Sequence, residues 1–149
     1  MYIQYVQQRV PHAVQCLGGR WVRPRPLLLV SLVGPLCTVA RQGLLDTGAD
    51  DTVFPEALAA TLGLDLSQAP VGGLTAAGGA LFPVRYAQVT LRLTDGQEFR
   101  EWPACVGFTS APLRMSLLGF AGFLQFFTAT FHGDLEKVEL TINRLYPGT

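Results

Sequence analysis

Asp46, Thr47 and Gly48 are the residues of this chain whose types and spacing can do chemistry. Leu44 and Leu45 run straight into them, and Ala49, Asp50, Asp51, Thr52 and Val53 follow. An apolar strand that ends in a carboxylate, a hydroxyl and a glycine can present the carboxylate in a cleft and brace it with backbone N–H groups. Paired carboxylates held this way can activate water: the ionised member takes its proton, and the protonated member donates to the carbonyl under attack. The triplet occurs once, so a site with two such carboxylates needs a second copy of the chain. On its own, Asp-Thr-Gly also fits an ordinary surface turn in which Asp46 caps the residues after it. The flanks, apolar before and Ala-Asp-Asp-Thr-Val after, weigh against that plainer reading.

Two further stretches bear on the same chemistry. Residues 71–81 carry Gly72-Gly73 and Gly78-Gly79 around small residues, bounded by Pro70 and by Phe82-Pro83. Glycine pairs at both ends of a small-residue hairpin suggest a mobile tip, the alternative being a flexible surface loop. Farther on, Ser116-Leu117-Leu118-Gly119-Phe120-Ala121-Gly122-Phe123-Leu124 places two apolar residues before a glycine.

The elements that must position these residues are mostly strands. Residues 27–33 are a continuous apolar run of strand length, ended by Gly34-Pro35, and residues 36–45 follow as a second strand. Strand signals recur at 84–93 and 98–106, joined by Thr94-Asp95-Gly96-Gln97, and Asp-Gly between alternating segments is a strong hairpin signal. Residues 126–131 and 138–142 make another pair. Helix is expected only at 55–63, with Pro55 at its start and Gly63 at its end, and at 120–124. Many short strands, Gly-rich turns and little helix imply a closed β-barrel.

The segment 44–53 closely resembles the active-site motif of the retropepsins, the single-domain aspartic proteases of retroviruses and their cellular and bacterial relatives. The resemblance runs from about Arg25 to Ile142, and its wording is nearest the bacterial members. It implies an all-β fold: a closed retropepsin-like (acid protease) barrel with a flap hairpin and one or two short helices, dimeric. The implied activity is that of an aspartic endopeptidase, with Asp46 from each subunit flanking one water. Thr47, Gly48 and Ala49 would support the site, the threonine hydroxyls bonding across the interface. Asp50, Asp51, Val53, Gly72, Gly73, Leu74, Ala77 and Leu81 would contact a bound peptide, the last five through the flap at 71–81. Leu118 and Gly119 would be structural, the glycine letting its strand pass close behind the catalytic loop. Several relatives place an arginine after that glycine, paired with the acid at the Asp50 position. Here the place is Phe120, so Asp50 must find another partner: Arg114, or Arg23 or Arg25 of the other chain. The flap also departs from familiar ones in its extra alanines and in lacking an aromatic residue near its tip. The alternatives are a non-catalytic peptide-binding or assembly module on the same fold, and a monomeric barrel in which Asp46 is only a turn residue.

Composition bounds the rest. A chain of 149 residues fits one domain with a sizeable core, here residues 23–149 as the protease domain with 1–22 as an N-terminal arm or extra strand. Gly18-Gly19 reads as the joint between them. The apolar fraction of 49% against 15% charged leaves apolar surface that a second subunit would cover. Eleven basic and eleven acidic residues give no net charge, and Arg20, Arg23 and Arg25 are too few for a phosphate-binding stripe, so no nucleic-acid partner is expected. Cys16, Cys37 and Cys105 are odd in number and far apart, which suggests neither disulfides nor a metal site but buried or half-buried thiols in a reducing compartment. His12 and His132 stand alone, and no cofactor is implied. The start of the chain lacks the basic-then-apolar order of a signal peptide, and the uncharged runs 26–40 and 115–131 are broken by Gly34-Pro35 and by Gln125, Thr128 and Thr130. No membrane partner and a cytoplasmic location are therefore expected.

Overall fold

The computed structural model describes residues 1–75 and 79–149. The elements in chain order are β1 Tyr2–Gln4, β2 Val6–Val14, β3 Arg20–Arg25, β4 Leu27–Val33, β5 Thr38–Leu45, β6 Val53–Pro55, α1 Glu56–Leu62, β7 Val71–Thr75, β8 Leu81–Thr94, β9 Phe99–Thr109, β10 Ser116–Leu118, β11 Phe127–His132 and β12 Lys137–Ile142. The chain is thus mostly β, as its strand-length apolar runs and turn residues require.

The period of two decides which side chains enter the core. In β4, Leu28, Val30 and Leu32 are fully buried while Leu29 is 62% exposed. The same alternation sends Val89, Leu91 and Leu93 of β8 and Trp102, Ala104 and Val106 of β9 inward. It also corrects one expectation. Cys105 falls on the outward phase of β9, and Cys16 and Cys37 lie outside the core, so all three thiols are free and exposed rather than buried. The β8–β9 hairpin is longer than its sequence signal, with residues 81–83 and 94 added to the first arm and 107–109 to the second. Its turn is held by Asp95, whose Oδ1 accepts from the N–H groups of Gln97 (3.0 Å) and Glu98 (2.8 Å).

Seven strands share one sheet in the order β4-β5-β10-β6-β9-β8-β7, and β4 also pairs with β8, with Leu32 opposite Leu91. The pairings therefore return on themselves, with β7 outside the ring and, among the described residues, hydrogen-bonded only to β8. β1, β12 and β11 form a second sheet, and β2 with β3 a third. Gly18 and Gly19, with φ of 65° and 80°, are the turn of the β2–β3 hairpin rather than a joint. That hairpin is tied down where Arg20 meets Glu136 at 2.7 Å.

The helix expected at 55–63 is α1. Gly63 ends it at φ 79°, donating to Ala59 and Ala60, and Leu58, Ala59 and Leu62 face the core. The second expected helix, at 120–124, does not form. Ala121 bridges to Asp51 as an isolated strand pair and Gly122 turns left-handed at φ 86°, so helical geometry is broken and only a 3-10 turn at Leu124–Phe126 follows. Behind it Trp102 packs on Phe123 and Phe127, with ring centroids 5.5 and 5.3 Å away, and its Nε1 donates to the carbonyl of Gly122. No helix among the described residues is long and apolar enough to cross a membrane.

Candidate active site

Asp46 stands at the end of β5, and the topology explains why a loop must form there. β10 lies between β5 and β6, parallel to the first and antiparallel to the second, with Leu117 opposite both Leu44 and Val53. The chain leaving Leu45 therefore has to arch over the end of β10 before returning as β6. Backbone bonds hold the arch. Asp46 donates to the carbonyl of Leu118 (3.1 Å), Phe120 to Ala49 (2.9 Å), Ala121 to Asp50 (2.8 Å), and Thr52 to Ala121 (2.9 Å). Gly107 of β9 donates to Thr52 from the other side (2.8 Å). The approach is so close that a Cβ on Gly119 would collide with the carbonyls of Asp51 and Ala49, the latter at 2.7 Å. Only glycine fits there.

Within the arch, Oδ1 of Asp46 accepts from the N–H of Gly48 at 2.9 Å, and a Cβ on Gly48 would lie 3.3 Å from that oxygen. The carboxylate is half-buried and carries no ion pair among the described residues. It opens onto a cleft of about 380 Å³ lined by Asp46, Gly48, Ala49, Asp50, Asp51, Val53, Gly73, Val84 and Leu117. Seven of these nine were singled out from sequence; Val84 and Leu117 were not. Strand phase could have found both. Leu117 alternates with the fully buried Leu118, and Val84 sits opposite Gly72 in the β7–β8 ladder. The structure leaves other expected residues outside the cleft lining. Thr47 is exposed beside it, Leu81 is 72% exposed on β8, and Gly72 packs on Tyr86 instead. Leu118 and Gly119 lie buried behind the loop. Ala77 lies outside the described residues, as does the side chain of Leu74.

The other two acids differ. Asp50 is exposed and has no ion pair among the described residues; neither Arg114, Arg23 nor Arg25 of its own chain reaches it. Asp51 accepts from the phenol of Tyr86, Oη to Oδ2 at 2.7 Å. Burial, and then this bond to a carboxylate, push the Tyr86 phenol up to about 12. Nothing in the sequence spacing pairs residues 35 apart, so Tyr86 could not be foreseen. No cluster of three or more His, Cys, Asp or Glu able to hold a metal occurs among the described residues. Chemically, one chain supplies one braced carboxylate on an open cleft that two more acids rim.

A family model described as aspartyl protease matches residues 37–121. The match begins just before β5, takes in the Asp46 arch, α1 and strands β7, β8 and β9, and ends at Ala121 beside the glycine behind the loop. No curated protein matches the sequence.

Proposed function

This chain belongs to the aspartyl protease family, and we propose that it is a retropepsin-like aspartic endopeptidase working as a homodimer. The observation that carries the reading is the single Asp46 carboxylate, braced by Gly48 and open to a cleft that one chain leaves with only half of a dyad. In the dimer, Asp46 of each subunit flanks one water. Two carboxylates that close do not both ionise easily, so their titrations couple and they share a proton. The ionised Asp46 takes a proton from the water as its oxygen attacks the peptide carbonyl. The protonated one donates to the carbonyl oxygen, and the roles then exchange to release the amine without a covalent intermediate. Coupling of this kind favours an acidic to mildly acidic optimum.

The supporting parts fit the same scheme. Thr47, exposed next to Asp46, is available to bond its counterpart across the two-fold axis. The β7–β8 hairpin brings Gly73 to the cleft and serves as the flap, excluding water over an extended peptide. The ring of pairings from β4 round to β8 serves as the barrel that holds both. The reaction needs no metal or organic cofactor, and a cytoplasmic setting suits the three free thiols.

The test compares wild type with Asp46→Asn on a diverse peptide mixture from mildly acidic to neutral pH, with cleavage read by mass spectrometry. Sedimentation of both proteins at micromolar concentration accompanies it. The expected result is a dimer in both cases and cleavage by the wild type alone. Cleavage by both proteins would refute the role of Asp46. Folded dimers that cut nothing would favour the peptide-binding alternative.

A further inference from the structure

Tyr86 is gripped in a way that the hydrolytic scheme does not use. Its ring lies between two glycines on the neighbouring strands. A Cβ on Gly72 of β7 would come to 2.8 Å from Oη and 2.9 Å from Cε2, and a Cβ on Gly107 of β9 to 3.5 Å from Cε1. Its N–H donates to the carbonyl of Pro70 at 3.0 Å, just where β7 begins. From this seat the phenol reaches Asp51 at 2.7 Å. One end of the side chain is thus locked under the hairpin, and the other is bonded to an acid on the rim of the cleft.

We propose that Tyr86 is a positioning residue that fixes the Asp51 carboxylate for a donor group on the bound peptide and ties it to the seat of the β7–β8 hairpin. The inference rests on the peptidase reading above and adds a specificity element to it. A carboxylate only accepts, so the bond has one direction: Oη donates to Oδ2. With its phenol ionising only near 12, Tyr86 remains a donor at every pH at which such an enzyme works. Asp51 also lines a second cleft of about 460 Å³, shared with Tyr86, Cys105 and Gln125. Its carboxylate therefore stands on the divide between two clefts, and a free rotor there could turn to either. With Oδ2 held by Tyr86, Oδ1 has no bonded partner among the described residues and stays available to an N–H of the peptide backbone or to a lysine or arginine side chain of the substrate.

Tyr86→Phe tests this, because it keeps the ring between the two glycines and removes only Oη. Kinetics are measured on a peptide that the wild type cleaves. Losing a hydrogen bond to a charged acceptor should raise KM about tenfold while kcat stays within about twofold. Asp51→Asn, which removes the charge that faces the peptide, should cost at least as much, and the double variant should be no worse than Asp51→Asn alone, since Tyr86 acts only through Asp51. A KM within about twofold of wild type, a loss confined to kcat, or losses that multiply in the double variant would each overturn the role. Amide hydrogen exchange of wild type and Tyr86→Phe separates this outcome from failure of the peptidase reading, because it needs no cleavage. If the wild type cuts no peptide, faster exchange at both residues 50–52 and residues 71–75 in the variant supports the link. A change at only one of them, or at neither, sinks it.

Discussion

Replacing Gly119 by alanine tests the packing that holds Asp46 in place. The added methyl would fall against the carbonyls of Asp51 and Ala49, with the second at 2.7 Å. Both atoms are backbone, so no rotamer change relieves the contact; the loop or β10 must move. Three bonds are at risk: Phe120 N–H to Ala49, Ala121 N–H to Asp50, and Thr52 N–H to Ala121, all between 2.8 and 2.9 Å. Forcing a methyl into a packed site costs about 1–3 kcal/mol. Each backbone bond lost adds about 0.5–1.5 kcal/mol. With one or two bonds broken the sum is roughly 1.5–6 kcal/mol, a large share of the ~5–15 kcal/mol that holds a typical domain together. For a chain of this size that lowers Tm by about 10 °C. Gly133→Ala is the control, because a Cβ there meets nothing within 4 Å. Thermal melts followed by circular dichroism compare the two variants with wild type. Cleavage should fall about a hundredfold in Gly119→Ala if Asp46 shifts by about 1 Å. A Gly119→Ala protein that melts within about 2 °C of Gly133→Ala would refute the claim that close backbone contact positions the loop.

Two other perturbations follow from the same structure. Thr52 is fully buried, and its Oγ1 has no hydrogen-bond partner among the described residues; Thr52→Val, of the same shape, should leave stability unchanged or raise it by about 1 kcal/mol. Denaturant unfolding decides, and a loss of more than about 1 kcal/mol would mean that the hydroxyl is satisfied after all. Asp95 accepts from the N–H groups of Glu98, Tyr2 and Gln97, which hold its carboxyl down at about 2 against an ordinary 3.8. A depressed value means that the ionised form favours the folded state, so its contribution is present above the ordinary value and is lost as pH falls from about 4 to 2. The stability gap between wild type and Asp95→Asn, read from melts across that range, should therefore close as pH falls; a constant gap would show that the bonds do not depend on the charge.

How much of this was legible in the sequence depends on the distance over which each feature is set. The Asp46 turn is local: the bond from Gly48 to Asp46 spans two residues, and the triplet itself specifies it. The hairpin joining β8 and β9 is also local, announced by Asp95-Gly96 and fixed by the side chain of Asp95. Helix signals at 120–124 failed for a partly non-local reason, since Ala121 bridges to Asp51, seventy residues earlier, and Gly122 turns left-handed at φ 86°, which breaks helical geometry. The outward thiols were readable in principle from the alternation in β9, where Cys105 lies between inward-facing Ala104 and Val106. Composition had suggested burial only because cysteine is usually buried. Tyr86 was out of reach, because its role comes from the register of β8 against β7 and β9, which places a glycine on each side of its ring.

Phe120 shows how the site manages without an expected charge. An arginine there would be placed to pair with Asp50; instead the phenylalanine is 62% exposed, and Asp50 has no ion pair among the described residues. The arch does not depend on that pair, because the backbone at 119–121 already bonds it at Ala49, Asp50 and Thr52. Exposed ion pairs contribute only about 0–1 kcal/mol, whereas several backbone bonds in a close-packed strand crossing contribute more and hold geometry better. What the substitution changes is the surface beside the loop. It carries an exposed carboxylate, with no ion pair among the described residues, and an exposed aromatic ring, on the same loop region as Asp46. In the homodimer proposed above, arginine at position 120 would therefore alter subunit association more than the fold of one chain. Phe120→Arg should leave the melting of the monomeric fold nearly unchanged while shifting the sedimentation equilibrium; an unshifted equilibrium would place Phe120 outside the seam.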